Sequence, residues 1–416
     1  MVVFTGALRL FAVATVCGGA LRAEADDGAA RENAPMGRRR LAVGTWHTCA
    51  IVSDGRVKCW GLGNVGQLGD GRLKDSRRPV AVADLAGAID IVAGDHWTCA
   101  IAARGRIHCW GYSRGKWATD EAQKRFPKCF ETAAYRKSGH GTPCVPTPHV
   151  IEGVENARTL IRSEQTLCAL TIEDKIPCWS MTAPDAAMRP LALPVDASRV
   201  VIGRGTLSRH IDKRWQSSAW GCALTRAGRV ECRDAPFERT ALESLDGIVD
   251  IEMSSNTPGM YTRHKGGRVS FLGNGMIIDL SPLASLVEHS RGTEGVNVGA
   301  KAPVAVPELE GALAVQEGSY FGCALFRGGE LRCWGTSGGV GRLGAGGLKA
   351  VSSKPIPVKG LGAVVEFGLG HSHACARTKG GAVKCWGKNK SGQLGDGSRK
   401  KASAKPVIAI RDVSAK

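Results

Sequence analysis

The sequence predicts an all-β fold, a seven-bladed β-propeller built from about 50-residue repeats with cross-strand disulfides. Three observations lead to this prediction. A short hairpin pattern recurs seven times, six of its copies contain two cysteines ten positions apart, and successive copies begin 39 to 69 residues apart. Glycine accounts for 55 of the 416 residues and aromatic residues for only 6%, which suits many short strands joined by tight turns.

The first copy shows how each unit is expected to fold. Two short apolar runs flank Asp54-Gly55, which is a strong hairpin signal. With Gly55 in the left-handed position of a three-residue loop, Cys49 faces Cys59 across the hairpin. Directly opposed residues on antiparallel strands have Cα atoms about 4.5–5.5 Å apart, within reach of a disulfide. Each unit is therefore predicted to be a hairpin closed at its open end by a disulfide.

The same spacing recurs through the chain. One copy lacks cysteines, and Tyr261 and Phe271 occupy their places, so we expect an aromatic cross-strand pair to substitute there. The predicted disulfides are Cys49–Cys59, Cys99–Cys109, Cys168–Cys178, Cys222–Cys232, Cys323–Cys333 and Cys375–Cys385. The tryptophans that directly follow a second cysteine are expected to pack between blades: Trp60, Trp110, Trp179, Trp334 and Trp386.

Cysteine usage indicates an oxidising compartment. Fifteen cysteines are too many for an ordinary cytosolic protein. The alternative is metal binding, but zinc sites usually contain a short C-x2-4-C knuckle, and the sequence has none. Each hairpin disulfide closes a loop of about 11 residues and is expected to contribute about 2–3 kcal/mol.

The N-terminal region fits the same compartment. Residues 1–25 are predicted to be a signal peptide, with Leu10 to Ala20 as its apolar region and a small-x-small cleavage site at Ala23-Glu24-Ala25. Cleavage there removes Cys17 and leaves fourteen cysteines, an even number. Two alternatives are a lipid anchor at Cys17 and a retained membrane helix. Residues 26–40 are interpreted as a flexible linker, and no membrane span is expected in the mature chain.

A long insertion follows the second unit, within the propeller assigned to residues 41–416. Residues 112–148 are basic and aromatic, and we expect Cys129 and Cys144 to form a disulfide that staples them. Long ordered loops tend to carry function, so this one is the predicted partner-binding element, although a purely structural lid is the alternative. The candidate partner-binding residues are Trp117, Lys124, Arg125, Phe126 and Tyr135.

The two ends of the repeat region suggest how the ring closes. The chain enters a repeat at Leu41-Ala42-Val43, which is the predicted first strand, and its last strand is predicted at Pro406 to Ile410. We expect this last strand to complete the first blade, so that no open sheet edge remains.

The first and last units share a set of positions: Gly44, His47, Ala50, Gly55, Val57, Trp60, Gly61, Gly66, Gln67, Leu68, Gly69 and Pro79, matched by Gly370, His373, Ala376, Gly381, Val383, Trp386, Gly387, Gly392, Gln393, Leu394, Gly395 and Pro406. This pattern resembles the repeat of the regulator of chromosome condensation family. The resemblance is specific in units one, two, six and seven and weak in units three to five. It implies a seven-bladed propeller, and the paired cysteines resemble a secreted bacterial branch. The nuclear founding member exchanges nucleotide on a small GTPase and binds chromatin, whereas a similar secreted bacterial propeller inhibits a β-lactamase by binding it.

Motifs for catalysis are missing from the sequence. It contains no G-x-S-x-G, no H-E-x-x-H and no phosphate-binding loop between strand and helix. His47 and His373 are expected to be buried and hydrogen-bonded. His371 and His373 form only a weak metal signal, and Asp70-Gly71 is interpreted as a turn.

These observations predict a non-enzymatic, monomeric propeller that binds an unknown protein partner in an extracellular, periplasmic or cell-surface location, with no cofactor and no metal. The net charge of +18 supports one alternative, a cell-surface binder of anionic glycan or nucleic acid. A second alternative is a lyase-type enzyme site in the central channel, which would need convergent acidic and histidine side chains there.

Overall fold

The computed structural model describes residues 38–112, 124, 128–129, 142–163, 166–181, 190–193, 196–203, 207–211, 214–218, 220–233, 242–254, 259–273 and 302–411. These ranges form the predicted seven-bladed β-propeller, almost entirely strand and connecting loop. Within a blade, consecutive strands pair antiparallel, with the first strand nearest the ring axis. No helix in these ranges has the length and apolar character needed to cross a bilayer.

The first four blades occupy the N-terminal part of the ring. Blade 1 contains β1 (Leu41–Val43), β2 (His47–Ile51), β3 (Val57–Gly61) and β4 (Ser76–Ala81); blade 2 contains β5 (Asp90–Ala93), β6 (Trp97–Ile101), β7 (Ile107–Tyr112), β8 (Lys128–Cys129) and β9 (Thr142–Val150) in the spatial order 5-6-7-9-8; blade 3 contains β10 (Ala157–Arg162), β11 (Thr166–Thr171) and β12 (Cys178–Ser180); blade 4 contains β13 (Ala197–Ile202), β16 (Gly221–Thr225) and β17 (Val230–Arg233), beside a separate hairpin of β14 (Leu207–Ile211) and β15 (Arg214–Ser218).

The last three blades each contain four strands. Blade 5 contains β18 (Ile248–Met253), β19 (Gly259–His264), β20 (Val269–Gly273) and β21 (Val304–Ala305); blade 6 contains β22 (Ala312–Glu317), β23 (Phe321–Phe326), β24 (Leu331–Thr336) and β25 (Val351–Pro357); blade 7 contains β26 (Val364–Leu369), β27 (His373–Thr378), β28 (Val383–Lys388) and β29 (Ala402–Ile410). Short 3-10 turns lie at Ala103–Gly105, Pro307–Leu309 and Arg327–Gly329.

The cysteines lie where the hairpin register predicts. All six ten-spaced pairs are directly opposed and at disulfide-bonding distance, with Cα atoms 4.0–4.1 Å apart. Gly55 has φ +75°, the left-handed value that the three-residue loop requires. In blade 5, Tyr261 faces Phe271 with ring centroids 5.0 Å apart in an edge-on arrangement, so the predicted aromatic substitution is confirmed.

The apolar core is divided among the seven joints between blades. Because strand side chains alternate between the two faces of a sheet, each blade sends one set of residues to either neighbour. Cys49 and Cys59 pack against blade 2, whereas Trp60 packs against blade 7. The blades therefore depend on their neighbours for burial, as expected of a repeat protein.

Tryptophan side chains tie neighbouring blades together, and their predicted packing between blades is confirmed. The indole Nε1–H of Trp110 donates to Gln67 O of blade 1 (3.0 Å), and that of Trp386 donates to Arg342 O of blade 6 (2.7 Å). The indole of Trp60 donates to Gln393 O of blade 7 (2.8 Å), which applies the same contact at the closing joint. Each acceptor lies in the turn that follows a third strand.

The expected mode of ring closure is wrong. The last strand, β29, does not complete blade 1; it pairs with β28 as the outer strand of blade 7. Pro406 corresponds to Pro79, which lies in the outer strand β4 of blade 1, so blade 1 already has its four strands. Closure instead rests on side chains: Glu366 Oε1 accepts the backbone N–H groups of Arg40 (2.9 Å) and Leu41 (3.0 Å).

Two buried histidines join the blades around this closure, as the sequence predicts. His47 Nε2 lies 2.7 Å from Thr98 Oγ1 of blade 2, and His373 Nε2 lies 2.9 Å from Thr48 Oγ1 of blade 1. Burial, reinforced by nearby positive groups, lowers the pKa of each imidazole to about 3. Both rings are therefore neutral in the folded protein at ordinary pH.

The neutral histidines predict a loss of stability in acid. Between about pH 3 and about pH 6.5 the unfolded chain binds protons that the folded imidazoles do not, so the free energy of unfolding falls as pH falls through this window. Each histidine contributes up to about 1.4 kcal/mol per pH unit. Urea titrations between these limits should show a shallower pH slope for His373→Asn than for the wild type. An unchanged slope would contradict this assignment, whatever the variant's absolute stability.

The closing carboxylate gives a second prediction. Glu366 Oε2 also accepts a hydrogen bond from Arg377 (2.9 Å), and both side chains are mostly buried. Without the Glu366 carboxylate, the backbone N–H groups of Arg40 and Leu41 and the Arg377 guanidinium lose their hydrogen-bond acceptor. Glu366→Ala should therefore reduce the free energy of unfolding by about 2–4 kcal/mol. The control is Glu330→Ala, which removes an exposed pair with Arg332 and should cost about 0.5 kcal/mol. Equal losses in urea titrations would show that Glu366 has no special role in closure.

A cationic aromatic patch as the candidate functional site

One end of the ring carries the loops that follow the first and third strands of each blade; we call this end the loop face. After the inner strand, a tight turn closes with Gly44 N–H donating to His47 O (2.9 Å) in blade 1 and Gly318 N–H to Phe321 O (2.8 Å) in blade 6. A Cβ at residue 44 would lie 2.5 Å from Gly94 O, which explains the glycine. These turns hold the last loop residue before the second strand, Trp46 or Tyr320, at the loop face.

Three aromatic rings from three blades meet on this face. His371 of blade 7 lies between Trp46 of blade 1, at 5.2 Å between centroids, and Tyr320 of blade 6, at 5.7 Å. Ser319 Oγ lies 2.8 Å from His371 Nδ1 and fixes the imidazole. Tyr320 is 39% exposed, so this aromatic surface is open to a partner.

Two cations complete the cluster, which we call the cationic aromatic patch: Trp46, Tyr320, Arg342, His371 and Lys388. Lys388 Nζ lies 4.5 Å from the Trp46 ring centroid, and Arg342 Cζ lies 4.9 Å from that of Tyr320. Neither cation forms an ion pair with a carboxylate of the described residues.

The electrostatics of the patch favour an incoming anion. Among the described residues, Arg342 Nε is buried and has no hydrogen-bond partner, and Arg342 Nη2 makes a long contact of 3.4 Å with Ser372 Oγ. Burial lowers the pKa of Arg342, and burial together with the neighbouring Lys390 and Arg342 charges lowers the pKa of Lys388. A carboxylate placed between these groups would offset charge that no carboxylate of the described residues pairs with.

The predicted partner-binding residues fall mainly outside the described ranges: Trp117, Arg125, Phe126 and Tyr135. Lys124 is described and exposed. The base of the insertion is ordered on the loop face, where Cys129 and Cys144 are at disulfide distance with Cα atoms 5.6 Å apart. They pack with Val65 and Tyr112 in a small apolar cluster, one blade away from Trp46.

Sequence reasoning missed most of the patch. Trp46 and Tyr320 do carry a signal, because each directly precedes the first residue of a second strand in the G-x-x-[H/F] turn. Arg342 and Lys388 carry none, since Arg342 lies about 20 residues from Tyr320 and Lys388 more than 300 residues from Trp46, spacings that no local pattern links. His371 entered the sequence argument only as a weak metal ligand.

Metal binding at the two histidines finds no support in the geometry. The His373 imidazole is buried against Thr48, whereas the His371 ring faces Trp46 and Tyr320. No group of three metal-ligating side chains occurs among the residues that the structure describes.

A second cationic surface lies on the outer rim where blades 7 and 1 meet. Arg77 Nη1 donates to Ser398 O (3.2 Å), and Gly397 N–H donates to Arg77 O (2.8 Å), so β4 and the loop after β28 run side by side. We call the exposed cations of these segments the basic rim: Arg72, Lys74, Arg77, Arg78, Arg399, Lys400 and Lys401.

The repeats, the ring and its joints define a propeller of a known repeat class. The sequence profile of the Regulator of chromosome condensation (RCC1) repeat matches residues 39–67 and 364–393, and a second profile of this repeat matches residues 54–101. Residues 39–101 and 364–393 therefore carry the repeat of the regulator of chromosome condensation family, the family that the sequence pattern resembles.

Relatives with this repeat are longer proteins. The chain is 27% identical over 281 residues to the human E3 ubiquitin-protein ligase HERC2, a match that covers 62% of this chain but 6% of that protein. It is 36% identical over 105 residues to the Arabidopsis thaliana mitochondrial RCC1 domain-containing protein RUG3, covering 24% and 23% of the two chains. Among solved structures, Prp20p from Saccharomyces cerevisiae aligns with a TM-score of 0.44 at 15% identity, covering 89% and 76% of the two chains.

Proposed function

We propose that the protein is a non-enzymatic, monomeric interaction module that binds an acidic segment of a partner protein on its cationic aromatic patch, in an extracellular or periplasmic compartment. The observation that carries this proposal is the pair of cations, Arg342 and Lys388, which stack on aromatic rings and form no ion pair with a carboxylate of the described residues. Propellers of this family commonly bind proteins, and Prp20p binds Gsp1p and histones.

The composition of the patch suits a peptide with both carboxylate and apolar groups. Trp, Tyr and Arg dominate the energetically important positions of protein interfaces, because they combine large contact area with polar recognition. A carboxylate could accept hydrogen bonds from the Arg342 fork while an adjacent apolar side chain packs on Trp46 or Tyr320. The described base of the insertion, at Cys129 and Cys144, lies on the same face, so Trp117, Lys124, Arg125, Phe126 and Tyr135 stay in the proposal as its second contact region.

The basic rim supports a second candidate function. Seven exposed cations on two adjacent segments form the kind of surface that binds an anionic polymer through its charge density. The cationic aromatic patch differs from the basic rim in composition, because it combines two cations with three aromatic rings. We therefore assign acidic protein segments to the patch and anionic glycan or nucleic acid, if either binds, to the rim.

The enzyme alternative has less support. The side chains that line the central cavity include Glu252 and Glu317 but, among the described residues, no histidine. The ligase activity in the name of HERC2 belongs to that protein, of which the match covers 6%.

The compartment can be tested on the cysteines. We expect non-reducing peptide mapping of the protein from its native source to recover the six ten-spaced pairs and Cys129–Cys144, with an N-terminus at Asp26. Disulfides persist in oxidising compartments, so quantitative recovery would support secretion. Free thiols at these positions would reject both the disulfides and the proposed location.

Binding can be tested with a fluorescent Glu-rich peptide containing one leucine, measured by anisotropy. We expect Arg342→Gln combined with Lys388→Gln to weaken peptide binding at least about tenfold, since each charged hydrogen bond contributes about 1.5–3 kcal/mol. The matched control neutralises three rim residues, Arg399, Lys400 and Lys401, to Gln; it removes more charge but leaves the patch intact and should change binding less than about twofold.

A heparin-derived oligosaccharide and a single-stranded DNA provide the competing probes. The proposal is supported if the peptide depends on the patch while the polymers depend on the rim. It is overturned if the peptide does not bind the wild type, or if all three probes lose affinity only with the rim variant and with rising salt.

A further inference from the structure

Three consecutive blades, 6, 7 and 1, present equivalent loops at the outer part of the loop face. In each blade, the loop after the third strand contains a glycine whose N–H donates to the outer strand of the following blade. These contacts are Gly346 N–H to Ala404 O (3.0 Å), Gly397 N–H to Arg77 O (2.8 Å) and Gly71 N–H to Pro146 O (3.0 Å). Because each glycine is fixed in the same way, the exposed residues that follow it project at equivalent positions. We call them the rim tips: residues 347–349, 399–401 and 72–74.

The rim tips are strongly cationic. They carry six exposed cations, none of which forms an ion pair with a carboxylate of the described residues: Arg72, Lys74, Lys349, Arg399, Lys400 and Lys401. The acidic residues of the same loops serve the loop backbone instead. Asp70, Asp75 and Asp396 each accept a backbone N–H of their own loop at 3.0–3.1 Å. The cations are therefore left to solvent or to an anionic partner.

Two leucines flank the central tip at residues 399–401. Leu73 of blade 1 lies between two of the cations and is 37% exposed, and Leu348 of blade 6 lies beside a third and is 48% exposed. Val351, at 49%, extends the apolar surface of blade 6. Single exposed leucines are common on protein surfaces, but these two occupy the tips of equivalent loops on either side of a cluster of cations.

The leucines discriminate between two kinds of anionic partner. A soluble polyanion is bound through its charge density and leaves an exposed leucine in water. An anionic bilayer satisfies both kinds of side chain, because its headgroups attract the cations and the boundary of its acyl chains takes up apolar side chains. The combination of leucine and cation on equivalent loops therefore favours a bilayer.

We propose that the rim tips dock the protein on the surface of an anionic phospholipid bilayer. Arg399, Lys400 and Lys401 lie among the lipid phosphates, and Leu73 and Leu348 enter the boundary of the acyl chains on either side. The three tips belong to consecutive blades of one ring, so they approach a lipid surface together. This docking does not depend on peptide binding at the cationic aromatic patch. For the basic rim, it makes a bilayer the preferred partner over a soluble polymer.

The apolar part of the proposal is tested by cosedimentation of the mature chain with phosphatidylcholine vesicles, with and without phosphatidylglycerol. We expect binding only to the vesicles that contain phosphatidylglycerol. Leu73→Ser combined with Leu348→Ser should weaken this binding about tenfold, since two partly exposed leucines no longer enter the bilayer. The same variant should bind a heparin-derived oligosaccharide within about twofold of the wild type. The matched control is Ile172→Ser, which removes a side chain that is 63% exposed in the loop after a second strand, at the opposite end of the ring.

The cationic part is tested by replacing Arg399, Lys400 and Lys401 with Gln. Loss of three charges at the lipid surface should weaken vesicle binding about a hundredfold. The matched control replaces three exposed cations in loops that follow second strands, at the opposite end of the ring: Arg104, Arg226 and Lys265. It removes the same charge but lies far from the rim tips, so vesicle binding should stay within about threefold.

Three outcomes would overturn the docking surface. The first is the absence of binding to vesicles that contain phosphatidylglycerol. The second is wild-type vesicle affinity in the leucine variant, which would leave a surface that recognises only charge. The third is an equal loss in the variants of the rim tips and of the opposite end. Where the double leucine variant does not fold, Leu348→Ser alone should weaken vesicle binding about threefold. The leucine variant should bind the Glu-rich peptide normally, so failure of vesicle binding and failure of peptide binding are distinguishable.

Discussion

The ring is held by side chains that reach from one blade to the backbone of the next, because no strand is shared between its first and last blades. At three joints a buried indole donates its N–H to a turn carbonyl of the preceding blade, and at the closing joint Trp60 makes this contact with Gln393 O. The Gly-Gln-Leu-Gly turn has to bring that carbonyl to the next blade. A Cβ at Gly392 would lie 2.6 Å from Arg77 Cα, which shows how closely the turn approaches blade 1. The tryptophan provides the donor and the glycine-rich turn provides the acceptor of the same contact between blades.

Near the axis, carboxylates of one blade link it to a neighbouring blade by accepting hydrogen bonds from that blade's backbone. Asp90 Oδ2 accepts Leu160 N–H of blade 3 (2.8 Å), as Glu366 accepts Leu41 N–H of blade 1. The innermost strand of each blade has no further strand to pair with on its axial side, which leaves backbone N–H groups to be satisfied. A carboxylate from the neighbouring blade that accepts such an N–H satisfies this donor and also links the two blades. Blade 5 departs from the rule in its hairpin: Tyr261 replaces a cysteine, and its hydroxyl bonds Glu317 of blade 6. The same substitution therefore packs against Phe271 within the hairpin and holds the Glu317 carboxylate, which lines the central cavity.

The sequence predicted the fold through local features whose geometry is fixed by short spacing. The ten-residue separation determines the register of Cys49 and Cys59, and the same register placed Tyr261 opposite Phe271. Ring closure was mispredicted because it depends on which strand of a blade comes first, and the alternation of apolar residues is similar in inner and outer strands. The patch was out of reach for a related reason. Its rings and cations come from three blades, and Lys388 meets Trp46 across a separation of more than three hundred residues that no local pattern records.

The basic side chains behind the net charge of +18 recognise anions differently, depending on their surroundings. On the basic rim, seven exposed cations share solvent and are screened by salt, so they act together and recognise only charge density. On the patch, Arg342 and Lys388 are partly desolvated by aromatic rings, which makes the position and shape of an anion matter. In the central cavity, which inner strands line, the Arg39 guanidinium is oriented by the backbone carbonyl of Leu160. The same charge therefore recognises little more than charge density on the open rim, whereas on the patch, where aromatic rings exclude water, it also recognises the position of an anion.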